Sequence, residues 1–424
     1  MNIEDIYKIY QQFPSIRTDS RKLEEHDLFF ALKGPNFNGN DFARKALELG
    51  AAYVIADEEL SFIDSRVITV KDGLKTLQQL AKYHRDQFQI PFIAITGSNG
   101  KTTTKELLHE VLSSAFITYT TKGNLNNHIG IPLTILKIKP DAQMAVIEMG
   151  ANHLQEIAGY CQYAQPTHGL ITNIGKAHLE GFGGVENVKK GKGELFKYLD
   201  AHNGVAFVNT DDAAVMELGS SLKNVIWYGS KGETPVGTTL RNESFVEVQI
   251  NGIENISIKT NLVGAYNLPN ILAAVCVGRY FNIPDQKIKS AIENYLPSNS
   301  RSQLIQKKSN HIILDAYNAN PGSMKAAIEN FAAIKGNKKI LLLGDMKELG
   351  SDTYNEHMAI ISLINQYDWN NVLLVGDIFS GLESTYQSCK NSVQAKDWLK
   401  SQNVENAYIL IKGSRSMQME KILE

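Results

Sequence analysis

The chain has little cysteine, almost no net charge and no long apolar run, and each shortage removes a class of function. Cys161, Cys276 and Cys389 are far apart and odd in number among 424 residues. They make no disulfide framework and read as reduced, buried thiols in a reducing cytosol, ahead of a catalytic cysteine. The formal charge is −2, from 43 Lys+Arg and 45 Asp+Glu. No general basic field is offered to nucleic acid, so anionic ligands need local sites. No apolar run approaches membrane-spanning length, and Met1-Asn2-Ile3-Glu4-Asp5 is acidic where a signal peptide is basic. A cytoplasmic protein without membrane insertion is expected. Internal repeats and low-complexity segments are missing too.

What is present describes a globular protein, 43% hydrophobic and 21% charged. Its length exceeds one ordinary core, and about two to four domains are expected. The stretch Phe92–Thr104 reads F-I-A-I-T-G-S-N-G-K-T-T-T, a buried-strand run, a glycine turn, then a helical pattern with Leu107, Leu108, Val111 and Leu112 on one face. Strand, turn, Lys-Thr and helix form a phosphate-binding loop, with backbone N–H groups and a helix N-terminus aimed at an anion. The general pattern asks for a further glycine where Ile95 stands, so the loop is a shortened variant.

An α/β class follows from the order of elements around it. Residues 1–88 read as a small α/β unit with strands Leu28–Leu32, Ala52–Ala56 and Val67–Val70 and helices Asp41–Leu49 and Gly73–Arg85. Gln89-Ile90-Pro91 reads as a linker. Residues 89–299 alternate strand and helix in the manner of a parallel sheet, with strands Met144–Glu148, Gly169–Asn173, Val205–Asn209 and Val225–Tyr228. A hairpin, Phe245–Ile250 and Ile253–Ile258 around Asn251-Gly252, predicts a two-residue type I′ turn. Helices Leu268–Tyr280 and Asp285–Tyr295 close this unit. Residues 300–424 open on a hairpin near Ser309-Asn310 and continue as an open Rossmann-like sheet, without a dinucleotide fingerprint. Its expected helices are Ser323–Ala333 and Asn355–Ile364, and its strands Lys339–Leu343, Val372–Val375 and Ala407–Ile411.

Candidate functional residues cluster just beyond strand ends, where open α/β sheets bind ligands. Glu148 ends an apolar strand and suits the Mg²⁺ of bound ATP. His178 follows the next strand and is either a second metal ligand or an ordinary histidine. Asn126 and Asn127, between Gly123 and Pro132, suit phosphate or metal-bound water, or a structural turn. Lys189, Lys190 and Lys192 share a predicted helix, and composition does not separate them. Asp315 suits ribose hydroxyls, and Asn318 and Asn320 suit a ligand or a helix start before Pro321. Lys412, Ser414 and Arg415 make a plausible carboxylate corner. Asp19-Ser20-Arg21 suits an anionic or uracil-type ligand, or a solvated turn.

Thr96–Thr102 resembles the shortened loop of the Mur ligases, ATP-dependent amide-forming enzymes of peptidoglycan precursor synthesis. Folylpolyglutamate synthases and cyanophycin synthetases share a similar loop. Four further stretches narrow the likeness: Gly123–Pro132, Asp315–Pro321, Gly344-Asp345-Met346-Lys347-Glu348-Leu349-Gly350, and Lys412-Gly413-Ser414-Arg415 with Met419-Glu420. They resemble the branch of the family that joins D-alanyl-D-alanine to UDP-N-acetylmuramoyl-tripeptide, which implies the last cytoplasmic amino-acid addition in peptidoglycan precursor synthesis, through an acyl-phosphate intermediate.

The resemblance implies three domains and a division of labour. The first would hold the UDP end through Ser20 and Arg21. The second would bind ATP and Mg²⁺ (two ions expected) through Gly97, Ser98, Asn99, Gly100, Lys101, Thr102, Thr103, Asn126, Asn127 and Glu148, with Asn267 and Asn270 near the adenine. Arg301 and Asp315 would reach the nucleotide from the third, where Tyr317, Asn318, Asn320, Lys412, Ser414 and Arg415 would meet substrate. Lys192 aligns with the family's carbamylated lysine, and with His178 and Thr102 would complete the metal set; Lys101, His178 and Lys192 are then the catalytic residues. Gly191 stands where the pattern has alanine. A monomer is expected.

Overall fold

The run Phe92–Thr96 becomes the middle strand of a six-stranded parallel sheet in a computed structural model that describes residues 1–231, 236–242, 245–252, 255–298, 300–336 and 338–424. All five of its residues are buried, as helices on both faces of a parallel sheet require. Met144–Glu148 lies on one side with Thr118–Thr120 beyond it. On the other side come His168–Ile171, Val205–Asn209 and Val225–Tyr228. The chain therefore runs out to one edge, returns, and crosses over, so strand order reverses around Phe92–Thr96. That reversal opens a crevice at the carboxyl end of the strand, directly before Gly97.

A second sheet of six strands lies in the C-terminal part. Its order is Gln303–Lys307, Asn310–Asp315, Tyr408–Lys412, Lys339–Gly344, Asn371–Val375 and Gln387–Cys389, parallel except for the first pair. The expected hairpin at Ser309-Asn310 is present, with Lys307 opposite Asn310. Asp315 and Lys412 are direct neighbours across two parallel strands. The edge strand Gln387–Cys389 and the helix Ser392–Ser401 behind it were not anticipated, because the strand is polar and mostly exposed and shows no apolar alternation.

The N-terminal part is a four-stranded parallel sheet of Ile16–Arg17, Leu28–Phe30, Tyr53–Ala56 and Val67–Thr69. Helix Gly73–Arg85 starts at Asp72, whose side chain accepts the Lys75 N–H at 2.8 Å. It ends against the central part. The buried Arg85 guanidinium donates to the carbonyls of Phe88, Ala164 and Gln165 and lies 3.8 Å over the Phe92 ring. His84 bridges the Tyr7 hydroxyl at 3.0 Å and the Ile138 carbonyl at 2.8 Å. The short linker is thus bracketed by buried polar contacts.

The expected two-residue turn at Asn251-Gly252 is corrected. Register pairs Ile250 with Ile256, so five residues separate the strands, and the expected start at Ile253 falls outside the described residues. Arg279 takes the Asn251 carbonyl at 2.8 Å and ties this loop to a helix. A further strand, Gly237–Asn242, makes the hairpin a three-stranded antiparallel sheet. Cys161 and Cys276 are buried, whereas Cys389 is half-exposed on the edge strand. Among the described residues no helix is long and apolar enough to cross a membrane.

Candidate active site

A cavity of about 550 Å³ opens where the carboxyl ends of the two six-stranded sheets face each other. Its floor is the glycine loop. Gly97 has φ +146° and a Cβ there would fall 1.9 Å from Thr172 Oγ1; Gly100 has φ +80° and a Cβ would meet Asn270 Oδ1 at 2.5 Å. Only glycine fits both positions. The loop is pinned to the end of the next strand: Asn173 Oδ1 accepts the Asn99 N–H at 2.9 Å, and the Gly175 N–H donates to Ser98 Oγ at 2.9 Å. Helix Lys101–Ser113 begins without a side-chain cap, which leaves its first N–H groups for an anion.

Lys101 folds back on this loop, its Nζ 2.7 Å from the Gly97 carbonyl. Burial holds its pKa below the ordinary lysine value, Glu148 opposing and Arg301 assisting. Glu148 is 1% exposed yet forms no salt bridge among the described residues. It is held by neutral donors: the Thr102 hydroxyl at 2.9 and 3.1 Å and Asn126 Nδ2 at 2.8 Å. A buried carboxylate without a directly paired cation is costly, and the donor set of one carboxylate and one hydroxyl fits a Mg²⁺. No cluster of three His, Cys, Asp or Glu side chains converges among the described residues, so the protein alone builds no metal cage.

His178 lines the same cavity. Its Nδ1 contacts the Glu348 carboxylate of the C-terminal part, and beside it Lys176 pairs with Glu356 at 2.5 Å. That contact holds the Glu348 carboxyl below its usual range, against the effect of burial. Lys192 does not line the cavity. It lies 0% exposed on helix Val185–Ala201, its Nζ without a hydrogen-bond partner and 5.6 Å from the Phe182 ring centroid. Its pKa is pushed well below the ordinary lysine value, first by burial, then by Lys101, with Glu156 opposing. Gly191 replaces the expected alanine for a visible reason: a Cβ there would sit 2.6 Å from Phe182 Cε1, the ring that covers Lys192. Lys189 and Lys190 point away, the former to Glu217 at 2.6 Å.

The far end of the cavity is built by Asn267, Asn270, Tyr266, Arg301, Tyr317 and Asp315. Asn270 accepts from Thr104 at 3.0 Å and donates to Asn267 at 2.9 Å. Arg301 stacks at 3.6 Å over Tyr317. Asn320 caps the helix Pro321–Ala333 and reaches across to Asn99 Oδ1 at 2.7 Å. Thr103, Asn127 and Asn318 also face the cavity, although the Asn127 side chain is used to accept the Ile129 and Gly130 N–H groups.

The remaining candidates have the following surroundings. Lys412 is 1% exposed and committed to Asp315 at 2.5 Å and to the Asn318 carbonyl at 3.2 Å, so it is no free anchor for a carboxylate. Asp315 in turn gives its other oxygen to the Ser302 N–H at 3.1 Å. Ser414 is buried outside the cavity lining, and Arg415 pairs with Glu420 at 3.8 Å while staying 5.4 Å from the Tyr317 ring. Ser20 and Arg21 lie away from the cavity on the N-terminal part, where Arg21 clamps Asp19 by two 2.9 Å bonds. Sequence reasoning missed Glu156 and Tyr160, which line the cavity from a helix whose only signal was the turn Asn152–Gln155 before it.

Residues 95–278 match the Mur ligase middle domain, 300–415 the Mur ligase glutamate ligase domain, and 12–85 the Mur ligase family catalytic domain. The chain belongs to the Mur ligase family. This Mur ligase is 35% identical over 423 residues to the UDP-N-acetylmuramoyl-tripeptide–D-alanyl-D-alanine ligase of Bacillus subtilis (strain 168), covering 96% of this chain and 92% of the relative. The protein of the same name from Escherichia coli (strain K12) is 34% identical over 96% and 92% of the two chains. Among solved structures, MurF from Acinetobacter baumannii superposes with TM-score 0.88 at 30% identity, covering 98% of this Mur ligase and 97% of that chain. MurF from Thermotoga maritima in complex with ADP superposes with TM-score 0.86 at 27% identity, covering 96% of each. A folylpolyglutamate synthase from Mycobacterium tuberculosis shares the fold at 14% identity and TM-score 0.64, covering 81% of this Mur ligase and 92% of that chain.

Proposed function

We propose that this Mur ligase joins D-alanyl-D-alanine to UDP-N-acetylmuramoyl-tripeptide, converting ATP to ADP and phosphate, in peptidoglycan precursor synthesis. The observation that carries the reading is one cavity shared by a phosphate loop, a buried Glu148 hydrogen-bonded by neutral donors and the strand ends of a second sheet. The full-length likeness to ligases of that name supports the choice of substrates. Divided at 88/89 and 299/300, the chain would devote its first domain to the UDP end through Ser20 and Arg21, its second to ATP, and its third to completing the cavity.

In the reaction an oxygen of the tripeptide's terminal carboxylate attacks the γ-phosphorus, and ADP leaves. The dipeptide's neutral amine then attacks the acyl carbon, and phosphate leaves with the carboxylate's former oxygen as the amide forms. Lys101 and the loop N–H groups would neutralise charge on the transferring phosphoryl group, and Asn267, Asn270, Arg301 and Asp315 would orient the nucleotide. Thr102, Glu148, His178 and Lys192 as its carbamate would hold Mg²⁺, which would supply charge neutralisation at the phosphates. Burial and the nearby Lys101 push the Lys192 pKa down, the direction that favours the neutral amine carbamylation requires, and as a carbamate it would offer an anion toward Lys101. Tyr317, Asn318, Asn320 and Arg415 remain the third domain's candidates for substrate. A cytoplasmic monomer is the working assignment.

The test measures phosphate release with ATP, UDP-N-acetylmuramoyl-tripeptide and D-alanyl-D-alanine, omitting each in turn. Release is expected only with all three; release indifferent to both peptides would refute the reading.

A further inference from the structure

The stretch Gly344–Gly350 carries no role in the mechanism above, and the structure gives its residues two different tasks. Asp345 is structural: buried, it accepts the N–H groups of Ile378 and Phe379 at 3.0 Å each. Glu348 is not used within its own part at all. Its side chain leaves the C-terminal part and meets His178 Nδ1 on the central part, while its carbonyl takes the Glu180 N–H at 3.3 Å. Both partners adopt left-handed backbone, φ +53° at His178 and φ +63° at Glu348. A non-glycine residue there is uncommon, and a facing pair of them is a costly way to make an ordinary surface contact.

An ionised carboxylate only accepts, so Nδ1 is the protonated nitrogen whenever the His178 ring carries a single proton. The lone pair then lies on Nε2, which no described residue hydrogen-bonds, in a side chain that lines the cavity. A carboxylate on one imidazole nitrogen is how proteins fix tautomer and ring orientation so that the other can bind a metal. We infer that Glu348 is the positioning residue for His178, so that the metal end of the cavity is completed only when the C-terminal part is docked on the central one. The inference rests on the reading of His178 as a metal ligand. It gives domain docking a chemical consequence: the metal site loses its orientation whenever the two parts separate.

The test titrates Mn²⁺ into the full-length protein with ADP present and reads bound metal by EPR, using four variants. Glu348→Ala should weaken Mn²⁺ about 10–100-fold, the range for losing such a partner. Glu348→Gln, which keeps an acceptor for Nδ1–H, should recover most of that loss. Lys176→Ala breaks the neighbouring ion pair between the same two parts without touching His178 and should change affinity by no more than about twofold. His178→Ala should weaken Mn²⁺ at least as much as Glu348→Ala. If Glu348→Ala matches Lys176→Ala, or binds Mn²⁺ like the parent while His178→Ala does not, Glu348 is only an interface contact and the inference falls with the metal reading intact. If His178→Ala binds Mn²⁺ unchanged, His178 is not a ligand and both fall.

Discussion

Among the described residues three lysines are almost completely removed from water, Lys105, Lys192 and Lys412, and the last two are buried on opposite terms. Lys412, 1% exposed at the end of a C-terminal strand, has Asp315 at 2.5 Å on the neighbouring strand and the Asn318 carbonyl at 3.2 Å. Lys192, 0% exposed on a central helix, has no hydrogen-bond partner, an aromatic ring above it and Lys101 near enough to repel it. The first is a charge neutralised in place, which shapes a site. The second is a charge the fold does not support, and such a group persists where chemistry needs its neutral amine. Burial alone would have placed both in one category; the partners separate them.

The largest effect that would break this contrast is on turnover. Lys192→Ala should lower kcat by about 100-fold or more, the scale for disabling one element of a charge-stabilising site, here through the loss of the carbamate that would hold metal and Lys101 in place. Short carboxylic acids should restore part of it by standing in for the carbamate. Steady-state phosphate release is the measurement, and undiminished turnover would remove Lys192 from the chemistry. Lys412→Met belongs to stability instead. It strands Asp315 and should cost about 3 kcal/mol in chemical denaturation, whereas the double change with Asp315→Leu should regain most of that. If the single and double variants unfold alike, the pair is not coupled as described.

A smaller effect concerns pH. The folded Lys192 pKa lies well below the unfolded one, so between the two values the unfolded chain binds more protons and stability rises with pH. Lys192→Met should therefore be more stable than the parent at neutral pH in CO₂-depleted buffer, by about 0.5–2 kcal/mol. The gap should close as pH rises through the lysine range, and a gap that widens would contradict the burial account. The smallest effect is expected at the exposed cation Arg21. Arg21→Ala should leave the melting temperature unchanged and raise KM for the UDP substrate several-fold, and an unchanged KM would clear it of substrate binding.

Much of the frame was readable because period and punctuation carry it. Phe92–Thr96, Met144–Glu148 and Gly73–Arg85 fall where apolar runs and the Asp72 cap indicate. The phosphate loop was legible too, since Gly97 and Gly100 are positions where only glycine fits. Lys192 was half legible. It stands four residues after Val188 and three before Leu195, on an apolar helical stripe that Lys190 avoids, but Lys189, four after Val185 and seven before Phe196, lies at the edge of the same stripe. The partner choices were not legible. Whether Lys412 meets a substrate or Asp315, and whether His178 meets Glu348, depends on contacts between residues 97 and 170 positions apart in the chain. The Asn251-Gly252 signal misled because the pairing of Ile250 with Ile256 leaves five residues, and not two, between the strands.

The central claim is that this cavity activates a carboxylate by phosphorylating it. Tripeptide substrate labelled with ¹⁸O in its terminal carboxylate tests that step directly, by mass analysis of the phosphate released with ATP and D-alanyl-D-alanine. One ¹⁸O atom should appear in each phosphate, carried from carboxylate to phosphorus and expelled when the amine attacks. Unlabelled phosphate, with the expelled heavy oxygen found in water, would contradict the account.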